Sequence, residues 1–316
     1  MEIIGIDTKA LESASRVILK RDFTFKPLDL FDERFYPSRK TEREEVLRYF
    51  LVMVALDHRL SRPGKPYEAC IEEGCYHGAD LLYRLGMIMF KENPEFFSPN
   101  NLCRVSIDDI KNWLSIGSAE PPDPEVRAFL LRDLGVKLNK LYGGKVENLL
   151  SSSKGVLRGF GANPGLIDLL RCFRAYEDPV EKKAMLLVKF LINRGLYKPL
   201  DKPDVPVDNH LSRIAYRLGI VMVSGKLWEK IRRGVEVDRE EDVLLRLAVR
   251  RAYRMLVDKT GIDPCMLDDF FWVMGREVCI RDTPLCDKCV FRNVCLAKRN
   301  RSFMVSEHLH FNTWYY

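Results

Sequence analysis

A chain of 316 residues is too long for one small module and fits one large domain or two modest ones. With 47% hydrophobic and 30% charged residues the composition is globular, which excludes disordered and collagen-like classes. The 51 lysines and arginines against 45 acids leave a formal charge of +6, which permits a polyanionic partner without requiring one. No apolar run approaches the ~18 residues a membrane helix needs. The opening MEIIGIDTKALESAS has acids where a signal peptide needs lysines. The expectation is a cytoplasmic, monomeric protein with no membrane contact.

Residues 1–40 mix short apolar pieces with Pro27, Pro37 and charges, and give no clear long helix. Thr41 followed by Glu44 reads as a capping box ahead of EVLRYFLVMVAL. Helical periodicity then recurs over 78–92, 107–116, 123–141, 165–174, 180–194, 209–219, 225–232 and 239–258. Pro121-Pro122, Gly143-Gly144 and a glycine-rich stretch over 159–165 punctuate it, and strand-like alternation is scarce. The chain therefore reads as all-α, with an N-terminal extension over 1–40, a helical core over 41–260, and a cysteine loop with an aromatic tail over 261–316.

Within 56–86, Asp57, His58, Tyr67, Glu68, His77 and Asp80 gather. No two histidines there stand four apart, so they read as pocket-lining or surface groups rather than metal ligands. In the 180–194 helix, Val180, Ala184, Leu187, Val188 and Leu191 make the buried stripe. Lys182, Lys189 and Asn193 fall opposite it, and Lys183 at its edge, so Lys182 reads as a solvated lysine beside Glu181.

Of nine cysteines, Cys70, Cys75, Cys103, Cys172 and Cys265 are scattered, and an odd total does not suit a disulfide framework. Cys279, Cys286, Cys289 and Cys295 instead crowd into seventeen residues with the spacing Cys-x6-Cys-x2-Cys-x5-Cys. Such clustering points to metal ligation. Four thiolates suit a 4Fe–4S cubane. Zinc on the same four remains open, although a six-residue loop is long for a zinc knuckle. Arg281, Lys288 and Arg292 in this loop read equally as phosphate-facing groups or a solvated rim.

With Gly275-Arg276 just upstream and Pro284 two before the second cysteine, this spacing resembles the iron–sulfur loop of endonuclease III and the adenine-mismatch glycosylases. Residues 204–220, DVPVDNHLSRIAYRLGI, resemble the Val-Asp-Thr-His-x2-Arg-x3-Arg segment of the helix-hairpin-helix DNA glycosylase superfamily. Val207, Asp208, His210, Arg213 and Arg217 match, and Asn209 replaces the small hydroxyl residue. The resemblance implies a helical DNA-glycosylase-type fold with a C-terminal 4Fe–4S cluster, DNA as partner, and Asp208 as the essential carboxylate. Breaking a C1′–N bond builds positive charge on the sugar, which a fixed carboxylate stabilises while it activates the nucleophile. Locally, Asp208 also reads as a helix N-cap. His210, Arg281 and Arg292 are the candidate substrate contacts, His210 having packing or capping as its plainer role.

In bifunctional members of that superfamily a catalytic lysine follows a Leu-Pro-Gly-Val-Gly hairpin as Lys-Thr-Ala. Lys182-Lys183-Ala184 can be laid over it, which nominates Lys182 for an abasic-site lyase step. The glycine hairpin is replaced by AYEDPVE, which puts duplex binding in doubt. A second, more diffuse likeness runs through NPGLIDLLRCF, EKKAMLLVKFL, VDNHLSRIAYRLG and the helical stretch after 226, which together are similar to the queuosine-salvage nucleosidases. It also places the catalytic aspartate on Asp208, but implies a free nucleoside as substrate. The expected activity is thus N-glycosidic cleavage, on DNA first and a modified nucleoside second, with a non-catalytic nucleic-acid-binding protein as the competing class. The tail Trp314-Tyr315-Tyr316 reads as docking on the protein's own core, or as stacking on a base.

Overall fold

A computed structural model describes residues 4–20, 27–62, 64–71 and 74–316. In chain order the elements are β1 (Ile4–Ile6), α1 (Thr8–Leu19), α2 (Arg43–Leu56), β2 (Glu68–Ile71), β3 (Gly74–His77), α3 (Ala79–Glu92), α4 (Pro99–Leu102), α5 (Ile107–Leu114), α6 (Pro124–Tyr142), α7 (Val146–Ser152), α8 (Leu166–Leu170) and α9 (Lys182–Asn193). Then come α10 (Asn209–Leu218), β4 (Val221–Val223), α11 (Gly225–Arg233), α12 (Arg239–Thr260), α13 (Pro264–Glu277) and α14 (Leu296–Arg299). The contacts divide the chain into two compact units, one of residues 1–28 with 203–313, the other of 29–202 with 314–316. These boundaries do not coincide with divisions at 40 and 260.

The 29–202 unit is built on α2 and α9. From Tyr49 to Leu56 every residue of α2 is buried, as expected of a helix that is apolar all round. Tyr36, Phe50, Tyr83 and Phe190 pack ring against ring over it, with centroids 5.7–6.1 Å apart. The Thr41–Glu44 capping box is not formed. Glu42 holds the cap position without a side-chain bond, and the Glu44 carboxylate instead accepts from the Val146 and Glu147 amides at the start of α7. That alternative satisfies two orphan N–H groups of another helix, where a box would satisfy its own.

The reading of α9 as one-sided is also corrected. Lys182, Lys183 and Lys189 are all buried, so this helix is enclosed on every side. Cys70 and Cys75 are likewise not isolated. They face each other across the β2–β3 hairpin and form a disulfide.

In the other unit, residues 1–40 do contain a long helix. α1 is capped by Asp7, whose carboxylate accepts from Lys9 and Ala10. It lies along α12, while β1 pairs antiparallel with β4. Beyond residue 260, α13 packs against α10 and α12. A buried polar chain ties the C-terminal segment to this core. The Tyr216 hydroxyl meets His308 Nδ1 at 2.8 Å, His308 Nε2 meets Asp242 at 3.0 Å, and Arg246 completes the pair with Asp242. Among the described residues no helix is long and apolar enough to cross a membrane.

Candidate functional site

α10 carries the aspartate motif, and its first turn explains the placement of Asp208. The residue has extended backbone, and its Oδ1 accepts from the Leu211 amide at 3.0 Å, so it is the N-cap of α10. Its carboxylate remains part-exposed. Beside it, Asn209 Oδ1 is buried with no hydrogen-bond partner. His210 is spoken for. Its Nδ1 lies 3.0 Å from Arg213 Nη2, and since a guanidinium only donates, that nitrogen is an acceptor. Burial lowers the His210 pKa against the pull of the Asp208 charge, and Arg213 adds to the lowering. Gly275 on α13 permits this contact. A Cβ there would come within 2.7 Å of His210 Cβ.

The two arginines of the motif, four residues apart on one face of α10, are buried and grip the cysteine loop. Arg213 donates to the carbonyls of Gly275 and Cys279 and to Glu307, the last at 2.7 Å. Arg217 donates to the carbonyls of Val305, Ile280 and Arg281, and its Nη1 lies 3.4 Å from Cys279 Sγ. The Cys295 thiol donates back to the Arg217 carbonyl at 3.1 Å. Burial pushes Cys289 up to about 11, and the charges of Cys279, Cys295 and Cys286 act in the same direction. Cys295 is raised by burial, with Cys279 and Cys286 adding to it. Among the described residues no group of three or more His, Cys, Asp or Glu is arranged to hold a metal ion. Arg281, Lys288 and Arg292 are exposed at the rim. Arg281 sits 3.8 Å from Glu307, and Arg292 donates to the Asp287 carbonyl.

Lys182 belongs to the 29–202 unit, at the first turn of α9. Glu181 caps that turn in the left-handed region at φ 65°, and Asp178 accepts from the Lys182 amide at 2.9 Å. The Lys182 amine donates to the Asp57 carbonyl at 2.9 Å and lies 3.5 Å from its carboxylate. Lys183 is fully buried; its amine donates to the Ala55 carbonyl at 2.6 Å and meets His58 Nδ1 at 3.1 Å. Burial drives both the Lys183 amine and the His58 imidazole well below their ordinary values, helped by the positive charges of Lys182 and Arg127. Arg127, itself lowered to about 10 by burial, donates to the Leu56 carbonyl at 2.6 Å.

Lys182, Lys183 and the Asp57-His58 pair thus belong to one cluster. Their separation of about 125 residues hides this from the sequence. Tyr67 is buried with its hydroxyl on the Leu114 carbonyl, and Glu68 faces His77 across the hairpin. In the tail, Tyr315 and Tyr316 are buried, Trp314 Nε1 donates to the Arg174 carbonyl, and Arg59 donates to Tyr316.

No protein-family model matches the chain, and no curated protein matches it either. The queuosine-salvage likeness therefore stands on the residues alone. Solved structures do match. A thermostable thymine-DNA glycosylase aligns over 92% of this chain and 98% of its own, at 14% identity and a TM-score of 0.51. Endonuclease III aligns twice at 16% identity: trapped covalently on DNA, over 93% of this chain and 96% of its own (TM-score 0.49), and in a non-covalent DNA complex, over 93% and 95% (TM-score 0.48). The fold is therefore similar to that of the thymine-DNA glycosylase. The segment 175–181, AYEDPVE, contains no glycine, and a short 3₁₀ turn runs over Arg174–Tyr176 at its start.

Proposed function

We propose that this chain is an N-glycosylase that removes a base from DNA by hydrolysis, with Asp208 as its carboxylate. The observation that carries this is the first turn of α10. A part-exposed carboxylate is fixed there by its own capping bond, beside a buried Asn209 oxygen that lacks a donor. A fixed negative charge stabilises the oxocarbenium-like sugar without reorganising. The same carboxylate accepts a proton from the attacking water. The Asn209 acceptor suits a donor from that water or from the substrate, because buried polar atoms seek partners.

The cysteine loop fits a thiolate-held iron–sulfur cluster in its donor set, four sulfurs in seventeen residues with Arg217 beside Cys279. Cys279, Cys286, Cys289 and Cys295 would hold the cluster, which supplies a covalent staple for the loop rather than chemistry at the sugar. Arg281 and Arg292, with Lys288, then present charge to a phosphate backbone.

Lys182 is held by Asp57, so the reading here is a monofunctional hydrolase. Asp208→Asn tests it cleanly, because asparagine caps a helix about as well as aspartate. Base release from a panel of damaged duplexes should fall by ~10²–10⁴ with DNA binding kept. Unchanged turnover overturns the assignment. Borohydride should capture no covalent adduct on an abasic strand, since only a Schiff base is trapped.

A further inference from the structure

We propose that the loop over 155–165 is a base-stacking wedge, with Phe160 as the inserted ring. The inference rests on DNA being the substrate and adds a contact that reading does not supply. Phe160 is 93% exposed and Leu200 80%, the two most exposed large apolar side chains among the described residues. They belong to adjoining segments, because the Leu200 amide donates to the Gly155 carbonyl at 2.8 Å. An exposed phenylalanine forfeits its burial, so a loop built to display one calls for an occupant.

The loop is built to display it. Phe160 and Asn163 exchange both backbone hydrogen bonds, at 3.0 and 3.2 Å, leaving a tight tip. Asp168 accepts from the amides of Gly159 and Gly165 at 2.7 and 3.0 Å, and closes the neck. Asp201 accepts from Leu157 and Arg158 at 2.6 and 3.1 Å. Gly159 and Gly165 have no room for a side chain, since a Cβ on either collides with the backbone of the opposite strand of the loop. Gly161 takes φ 63°. A ring held this way loses little conformational freedom when it inserts.

Charge then selects the occupant. Lys154, Lys198 and Lys202 are exposed on the two joined segments that carry these apolar side chains. The nearby acids are engaged, Asp168 and Asp201 by loop amides and the buried Glu181 by Arg158 and Arg171 at 2.6–2.8 Å. An exposed aromatic tip on segments that carry exposed cations suits bases stacked along a phosphate backbone, the arrangement by which apolar wedges part base steps. Arg158, two residues from Phe160, also fixes the loop to Glu181, the residue just before Lys182, so the wedge stands at the N-terminal end of α9.

The test uses the full chain with a duplex carrying a tetrahydrofuran abasic-site analogue opposite 2-aminopurine. Phe160→Ala removes a ring that packs on nothing, so its melting temperature should match wild type. Its affinity for this duplex should fall roughly ten- to hundred-fold, as expected for loss of one base–aromatic stack. The 2-aminopurine response expected of wild type should disappear, and Phe160→Trp should restore both. If wild type binds and Phe160→Ala binds and responds equally, the wedge is overturned and the DNA reading survives. If wild type itself shows no retention on any duplex, both fall. If Phe160→Ala changes only a monomer–dimer equilibrium, the tip is a contact between copies and the proposal is wrong.

Discussion

At the end of α2, Lys183, Arg127 and Lys182 donate to the consecutive carbonyls of Ala55, Leu56 and Asp57. The last carbonyls of a helix have no partner within it, so three nitrogen donors there satisfy them, and its C-terminal end favours the positive charge of Arg127 and Lys182. His58 is the exception among them. It sits buried against Lys183 with Arg127 and Lys182 nearby, and its Nε2 has no partner. Its folded pKa lies well below the ordinary 6.5, so as pH falls the unfolded chain takes the proton first. The stabilisation is therefore complete above about 6.5 and is lost as pH drops below it. Urea midpoints measured between pH 7.5 and 5 should fall for the wild type. His58→Gln should fall less, keeping the part due to His210, whose pKa is also lowered. Parallel curves for the two proteins would contradict a neutral buried His58.

Between α10 and the cysteine loop, the spacing of Arg213 and Arg217 is legible as one helix face, since residues four apart align. Their partners are not legible. The carbonyls of 279–281 and 305 lie 62 to 88 residues downstream, and no local pattern selects them. The helix bounds of α3, α6, α10 and α12 follow the apolar period closely, because in each the period and the turn residues agree. α1 escaped because its buried stripe is Leu11, Ala14, Ser15 and Ile18, half of it too small or polar to register as apolar. α9 misled for the opposite reason. Its lysines are enclosed because backbone carbonyls and acids solvate them, which hydropathy cannot see. The loop gripped by these arginines should carry thiolate-bound iron. Purified without oxygen, the chain should be brown with four irons, and Cys286→Ser should lose iron and colour together. A colourless protein with one zinc per chain would remove the cluster from the account.

For the molecule as a whole, the open choice is between a polynucleotide and a small neutral substrate, and salt decides it. The net charge of +6 is modest, but Arg281, Lys288 and Arg292 are exposed together on the cysteine loop. Against them stands AYEDPVE, 175–181, which lacks the glycines of a hairpin that could offer backbone amides to a phosphate. Each phosphate neutralised releases counterions, so affinity for duplex DNA should fall with a log–log slope of about −0.9 per contact. Four contacts would cost roughly a hundred-fold between 50 and 200 mM salt by that slope. Changing Arg281 and Arg292 together to Gln should flatten the slope by about 2 and weaken all sequences alike. A nucleoside carries no phosphate and releases no counterions, so its binding should be nearly independent of salt. A flat profile with no retention on DNA at low salt, joined to turnover of a modified nucleoside, would transfer the substrate to the small-molecule class. Asp208 would keep its role in that case, since the charge it stabilises arises on the sugar in both.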